Sequence, residues 1–204
     1  MITSSNNAKV KQVVQWQTKA KERRKDHVFL AEGVRMCEEA PVKSVREVYL
    51  TEELEQKLRR NAQNGDTAFW DKLQQTGYET VSPEVFAKMA DTQTPQGILT
   101  VLEQPSYDLT QLLEQPEPLF LILENLQDPG NLGTMIRTGE GAGITGVIMN
   151  QQTVDIFNPK TIRATMGSIF RVPFVYVPEL SPVLTQMHER GMKASLPQGK
   201  RSFF

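Results

Sequence analysis

The sequence predicts an α/β protein of two domains, and three features support this. Short apolar runs alternate with amphipathic stretches along the 204 residues, as they do in layered α/β folds. A polar segment with two prolines, 106–118, interrupts the alternation. The pattern restarts at 119–124, an almost wholly apolar strand typical of parallel sheets covered on both faces. We therefore predict one domain over 1–105 and a second, with a parallel sheet, over 106–204.

The first domain begins with a basic amphipathic helix over 4–26, which is followed by an apolar run at 28–31. Ser82-Pro83 predicts a later helix start, because Ser is a good N-cap and Pro is favoured just inside a helix. The other predicted elements are a helix over 33–40, a strand over 45–50, helices over 52–61 and 66–76, and strands over 78–81 and 97–102.

The second domain reads as β-α-β-α-β-α, which predicts a parallel sheet with right-handed crossovers. Asn158-Pro159 and Ser181-Pro182 mark two of its helix starts by the same N-cap and proline rule. After the strand at 119–124, the predicted elements are a helix over 131–142, a strand over 146–150, a helix over 158–168, a strand over 172–177 and a helix over 181–190.

The composition is that of a globular protein, with 39% hydrophobic and 23% charged residues. No apolar run approaches the length of a membrane helix, and the N-terminus has no apolar signal core. Cys37 is the only cysteine, which fits a reducing compartment, and two histidines make a zinc site unexpected. We expect a cytoplasmic protein with no membrane segment and no metal.

Basic residues are concentrated near the N-terminus although the net charge is only −1. Residues 1–30 hold seven lysines and arginines against Glu22 and Asp26. Such a cluster is able to contact phosphates, and the residues predicted to do so are Lys9, Lys11, Arg23 and Arg24. A solvated helix face gives the same pattern, and charge alone favours that second interpretation.

The most informative segment is 124–138, ENLQDPGNLGTMIRT. It predicts a buried strand, a sharp Pro-Gly turn and a helix start, which place free backbone N–H groups at the carboxyl edge of the sheet, where ligands collect. Asn131 is able to cap this helix, and Arg137 follows six residues later, so one helix presents both side chains near the edge. The alternative is a plain β–α turn with Arg137 in a salt bridge.

The segment 141–146 matches G-x-G-x-x-G, but it follows a helix and precedes a strand. A dinucleotide fingerprint has the opposite order. We therefore assign Gly143 to helix termination.

Three segments resemble the SpoU/TrmH-like RNA 2'-O-ribose methyltransferases of the SPOUT superfamily. ENLQDPGNLGTMIRTGEGAG resembles the first signature motif of that family, and RATMGS at 163–168 resembles its R-A-S-M-G-A helix. FLAEG at 29–33 and DTQTPQGIL at 91–99 resemble the ribosomal-protein-L30e-like RNA-binding domain. The resemblance implies an L30e-like α/β sandwich followed by a SPOUT-type parallel-sheet domain.

The resemblance also implies a chemistry: S-adenosylmethionine donates a methyl group to a ribose 2'-hydroxyl. By motif position, Asn131 and Arg137 are the catalytic residues, and Glu124 and Asn125 lie beside them against the RNA. The family assigns this arginine as a base. Because an arginine side chain normally stays charged, binding the target phosphate and orienting the hydroxyl is a second role for Arg137.

The implied partner is RNA, with ribosomal RNA first because of the L30e-like domain and transfer RNA second. Arg163 is expected to touch RNA or a subunit interface, with a helix salt bridge as the alternative. The loop at 92–96 is expected to meet single-stranded RNA, and a plain turn into a strand is the alternative.

Two later family motifs are not recognisable in the sequence: a G-x-E-x-x-G loop and a segment rich in Ser, Leu and Asn. In the family they tie a trefoil knot, hold the methyl donor and form much of the homodimer interface. Residues 194–204 read as a truncated ending. We therefore expect an incomplete second domain that binds the donor weakly or not at all. A catalytically inactive RNA-binding fragment is the alternative function, and a small-molecule nucleotide binder is a third.

Overall fold

The computed structural model describes residues 1–195, which form two β-sheets flanked by helices. The first sheet contains β1 (Val28–Glu32), β2 (Val45–Thr51), β3 (Glu79–Val81) and β4 (Ile98–Glu103) in the order β1-β4-β2-β3. The strand β4 is antiparallel to both β1 and β2, whereas β2 and β3 are parallel. The helices of this part are α1 (Ala8–Thr18), α2 (Ala20–Asp26), α3 (Val34–Glu39), α4 (Glu52–Gln63), α5 (Ala68–Thr76) and α6 (Pro83–Met89).

The second sheet is parallel throughout and contains β5 (Phe120–Leu123), β6 (Gly146–Asn150) and β7 (Phe174–Val177) in that order. Its helices are α7 (Leu109–Leu113), α8 (Pro129–Gly141), α9 (Pro159–Thr165) and α10 (Ser181–Glu189). The predicted α/β fold class, with a parallel sheet in the second half, is confirmed.

The prediction of one long N-terminal helix over 4–26 is wrong in one respect. The chain leaves the helix at Lys19, whose φ and ψ of −122° and 109° are extended, so that α1 and α2 are separate. The break lets α2 fold back, and Asp26 then accepts a hydrogen bond of 2.7 Å from the indole N–H of Trp16. The helix α1 packs against the first sheet through its buried side chains Val10, Val13 and Trp16.

One hydrophobic core crosses the predicted boundary near residue 105. Phe29 and Ala31 of β1 pack in the same cluster as Leu132 and Ile136 of α8. The rings of Phe29 and Phe157 lie 5.0 Å apart, which joins the two halves by direct aromatic contact. The two sheets are therefore held by a shared core, and the division into domains stays a prediction.

Among residues 1–195, no helix is both long enough and apolar enough to cross a membrane. The same residues contain no group of three or more histidine, cysteine and acidic side chains that would hold a metal ion. The expected truncation at 194–204 concerns residues that, from 196 onward, lie outside the described part of the chain.

Candidate functional site

The turn between β5 and α8 forms the centre of the candidate site. Asp128 is the N-cap of α8, and its carboxylate accepts a hydrogen bond of 2.7 Å from the backbone N–H of Asn131. Pro129 occupies the first helical position, where its missing N–H costs nothing. The expectation that Asn131 caps the helix is therefore wrong, because the carboxylate three residues earlier takes that place.

The Asp128 carboxylate is anchored from two sides. The hydrogen bond from the Asn131 N–H, aided by the charge of Lys160, holds the pKa of Asp128 below its ordinary value. The Lys160 ammonium lies 3.7 Å from the carboxylate. Because Lys160 belongs to α9, this contact ties the beginnings of two neighbouring helices together.

The side chains of Asn131 and Arg137 are both exposed on α8. No carboxylate among residues 1–195 pairs with the Arg137 guanidinium. The alternative prediction, an Arg137 salt bridge, is therefore not what the described part of the chain shows. A positively charged side chain that has no carboxylate partner in the described part of the chain is available to an anionic ligand.

Close helix packing sets the position of α8. A side chain at Gly133 would meet the Ala164 Cβ at 2.5 Å and the Thr161 carbonyl oxygen at 2.6 Å, so only glycine permits this approach of α8 to α9. The helix ends as predicted, since Gly143 follows its C-terminus with a φ of +75°.

Asn150, the polar residue that ends β6, fixes the conformation of the residues just before the turn. Asn125 adopts a left-handed conformation with φ of +53°, and its backbone N–H donates to the carboxamide oxygen of Asn150 at 3.0 Å. Asn150 is only 5% exposed. Glu124 and Asn125 are exposed. Asn150 was not among the residues predicted from the sequence, although a polar residue that ends an otherwise apolar strand was a usable signal.

Arg163 lies on α9 and forms an ion pair with Asp91, in the loop before β4. The salt-bridge alternative therefore describes Arg163 best, although the partner lies in the other half of the chain and not in its own helix. The carboxylate of buried Glu32 accepts hydrogen bonds from the Asp91 N–H and the Thr92 hydroxyl. Glu32 therefore fixes the beginning of the loop at 92–96. The side chains of Gln93, Thr94 and Gln96 remain exposed.

The predicted phosphate contacts near the N-terminus divide into two groups. Lys11 and Arg24 are exposed, and so is Lys9, although Lys9 pairs with Glu79. Arg23 is only 3% exposed, and its guanidinium donates to the Trp16 carbonyl and to Asp155, each at 2.7 Å. The prediction that Arg23 contacts phosphate is therefore wrong, because the side chain is occupied inside the protein.

These features define a class: an α/β domain whose parallel sheet presents a capped helix start and polar side chains at its carboxyl edge, with an exposed arginine on that helix that has no carboxylate partner among residues 1–195. Comparison with known proteins gives the family. Residues 118–201 match the SpoU rRNA Methylase family, and residues 7–100 match the MRM3-like substrate binding domain.

Relatives of known name agree with these matches. The chain is 33% identical over 205 residues to the 23S rRNA (guanosine(2553)-2'-O)-methyltransferase RlmP of Bacillus subtilis, covering 96% of this chain and 75% of that protein. It is 41% identical to the human mitochondrial rRNA methyltransferase 3, over 52% of this chain and 26% of that one. The chain belongs to the SpoU rRNA methylase family, a family of RNA methyltransferases.

Solved structures show the same fold. The AdoMet-bound rRNA methyltransferase from Sinorhizobium meliloti superposes with a TM-score of 0.74 at 28% identity, over 91% of this chain and 67% of that one. The SpoU methyltransferase AviRb from Streptomyces viridochromogenes superposes with a TM-score of 0.71 at 23% identity and supports the fold alone.

Proposed function

We propose that this chain transfers a methyl group from S-adenosylmethionine to a ribose 2'-hydroxyl of RNA, with ribosomal RNA as the substrate. The observation that carries the proposal is the exposed Arg137 guanidinium on α8, which has no carboxylate partner among residues 1–195. The helix α8 begins at the carboxyl edge of the parallel sheet, directly after β5. Ligands bind at this edge in open α/β sheets. The printed name of the Bacillus subtilis relative gives the 2'-O position and the ribosomal substrate for that protein.

In this proposal Arg137 binds the phosphate next to the target ribose and so fixes the direction of the hydroxyl. Arginine suits this role because its planar guanidinium pairs with phosphate through two hydrogen bonds. Asn131, in the first turn of α8, and Glu124, directly after β5, supply further hydrogen bonds to the ribose. Orientation of this kind lowers the barrier by positioning.

The carboxyl edge also offers groups that fit the methyl donor. Gln151 and Gln152 follow β6, and their exposed carboxamides both donate and accept hydrogen bonds, as the amino, carboxyl and ribose groups of S-adenosylmethionine require. These two residues would hold the donor, and the expected weak affinity of the chain for it stays a prediction. When bound, it supplies a methyl group on a positively charged sulfur, which the 2'-oxygen takes as the hydroxyl proton passes to solvent.

The RNA substrate also contacts the first half of the chain in this proposal. Lys9, Lys11 and Arg24 meet phosphates, and the exposed part of the loop at 92–96 meets unstacked bases. The cytoplasmic location and the family homodimer stay predictions.

Methyl transfer from labelled S-adenosylmethionine to unmodified bulk ribosomal RNA tests the proposal. The parent is expected to incorporate label, and Arg137→Ala is expected to reduce the rate at least about 100-fold, because a misplaced hydroxyl reacts poorly. Arg60→Ala is the matched control, since Arg60 is an exposed arginine on α4. Equal rates for the parent and Arg137→Ala would contradict the role of Arg137. RNA binding by the parent without any label would favour the binding-only alternative.

A further inference from the structure

A small polar network joins the ends of β5 and β6 beneath the candidate site. The carboxamide oxygen of Asn150 accepts hydrogen bonds from the Asn125 N–H at 3.0 Å and from the Thr153 hydroxyl at 2.8 Å. The Asn150 carboxamide nitrogen donates to the Asn125 side-chain oxygen at 2.8 Å. Asn150 thus holds both the backbone and the side chain of Asn125.

The direction of the Asn150 carboxamide is set by its neighbours. A backbone N–H only donates, so the atom of Asn150 that faces the Asn125 N–H must be the oxygen. The nitrogen of Asn150 then faces the Asn125 side chain, and the atom it meets must be an acceptor. These two contacts determine an orientation that otherwise remains ambiguous for an asparagine.

The hydrogen bond from Asn150 also determines the direction of the Asn125 carboxamide. Its oxygen is used by Asn150, which leaves its NH2 group on the other side. No atom among residues 1–195 accepts a hydrogen bond from this NH2 group, and Asn125 is exposed. The side chain therefore presents two hydrogen-bond donors to solvent, next to the turn that begins α8.

The turn itself depends on the same residue. Asn125 has a φ of +53°, which few residues other than glycine adopt readily. Gln127 adds a second tie, because its carboxamide nitrogen donates to the Gln152 carbonyl at 2.7 Å. Since Asn150 is 5% exposed, water does not replace its hydrogen bonds when it is changed.

We propose that Asn150 is a positioning residue for methyl transfer, which fixes the Asn125 carboxamide so that its NH2 group donates to a backbone oxygen of the RNA. The proposal rests on the proposed function for its RNA ligand. In this proposal Asn125 presents its NH2 group to the RNA, and not its side-chain oxygen. Buried Asn150, which lies outside the first motif, thereby has a role in RNA recognition.

Asn150→Asp tests the proposal with almost no change of shape. The new carboxylate still accepts from the Asn125 N–H and the Thr153 hydroxyl, but it cannot donate to the Asn125 oxygen. The Asn125 carboxamide is then expected to flip and to present its oxygen to the RNA. RNA binding is expected to weaken about tenfold, which corresponds to one lost hydrogen bond to a charged group. Urea unfolding of the variant checks that it is folded.

A double-mutant cycle separates positioning from a merely structural effect. Asn125→Gly keeps the left-handed backbone and removes the carboxamide, so adding Asn150→Asp is expected to weaken RNA binding by less than about twofold more. Asn61→Asp on α4 controls for the added negative charge. Independent, additive losses in the two single variants would overturn the proposal.

Hydrogen exchange of the side-chain amides, followed by NMR with labelled asparagine, reports the flip without any RNA. In the parent, the Asn125 NH2 protons are expected to exchange rapidly and those of Asn150 slowly. In Asn150→Asp, the Asn125 NH2 protons are expected to become protected. Unchanged exchange at Asn125 would overturn the proposal. Absence of methyl transfer by the parent would instead count against the proposed function, because the exchange and RNA-binding results do not depend on catalysis.

Discussion

Arg23 stabilises the junction between the two halves of the chain. Its guanidinium donates to the Trp16 carbonyl in α1 and pairs with Asp155 in the segment before α9. Removal of one partner from a buried ion pair leaves the other charge unpaired in a poorly solvated place, which is strongly unfavourable. The neighbouring Arg24 is exposed, and it forms no ion pair with residues 1–195.

Arg23→Ala is therefore expected to lower the free energy of unfolding by about 3 kcal/mol and to leave the salt dependence of RNA binding unchanged. Arg24→Ala is the matched control with the opposite profile. It is expected to change stability by less than about 0.5 kcal/mol and to reduce the salt slope by about one unit. Urea unfolding and RNA titrations at several salt concentrations check both. A weaker salt slope for Arg23→Ala with intact stability would mean that Arg23 meets phosphate after all.

The sequence of residues 19–26 could not distinguish these two arginines. Both belong to the same basic run, and the carboxylate that buries Arg23 lies 132 positions away at Asp155. By contrast, the location of Asn131 and Arg137 on one helix was predictable, because the Pro-Gly turn that precedes them marks where the helix begins.

Two of the four glycines of helix α8 have opposite surroundings. A side chain at Gly133 would strike α9, whereas nothing lies within 4 Å of the position that a side chain would take at Gly141. The approach of α8 to α9 at Gly133 sets where the helix start and Arg137 lie relative to the sheet.

Gly133→Ala is expected to push α8 from α9 and to destabilise the protein by about 1–3 kcal/mol, the usual cost of overpacking. It is also expected to slow methyl transfer, because the shift moves Arg137. Gly141→Ala, in the last turn of the same helix, is expected to be neutral or to stabilise by up to about 1 kcal/mol. Thermal unfolding and rate measurements on both variants check this. A stable, fully active Gly133→Ala would show that the close contact is not required.

Most elements of the second sheet were predictable, since apolar strands and Asx-Pro or Ser-Pro helix starts are local signals. The break at Lys19 was not, because α2 folds back for contacts such as that between Trp16 and Asp26, which depend on the tertiary structure. The N-cap at Asp128 was within reach of the sequence, since an aspartate directly before Pro129 fits the N-cap position.

Arg171 connects the two halves of the molecule. Its guanidinium donates to Glu39 of α3 at 2.9 Å and to Glu140 of α8. These hydrogen bonds hold the pKa of both carboxyl groups below their ordinary value of 4.5. A carboxyl group whose pKa is lower in the folded protein stabilises it above the unfolded pKa and loses that contribution as the pH falls through the folded pKa.

The difference in stability between the parent and Arg171→Met is therefore expected to be largest above about pH 5 and to shrink as the pH falls below about 4. The groups are partly exposed, so solvent screening keeps the difference near or below about 1 kcal/mol for each pair. Urea unfolding between these pH values measures it. A difference that stays constant with pH would show that the ion pairs do not contribute.

The shared core was outside what the sequence could show. The pattern of Phe29 and Ala31 predicts a buried strand, but it does not reveal that helices from the second half cover them. The alternation of elements indicated two units, and only the structure shows how closely their hydrophobic residues pack together.

The position of the methyl group in the product RNA directly tests whether the chain methylates a ribose 2'-hydroxyl. Alkali cleaves RNA through the free 2'-hydroxyl, so a 2'-O-methylated ribose resists cleavage and remains within a dinucleotide. After transfer of labelled methyl groups by the parent and complete alkaline hydrolysis, we expect the label in dinucleotides, and at least about 100-fold less of it after the same reaction time when Arg137→Ala replaces the parent. Label in mononucleotides would place the methyl group on a base and contradict 2'-O-methylation by this chain.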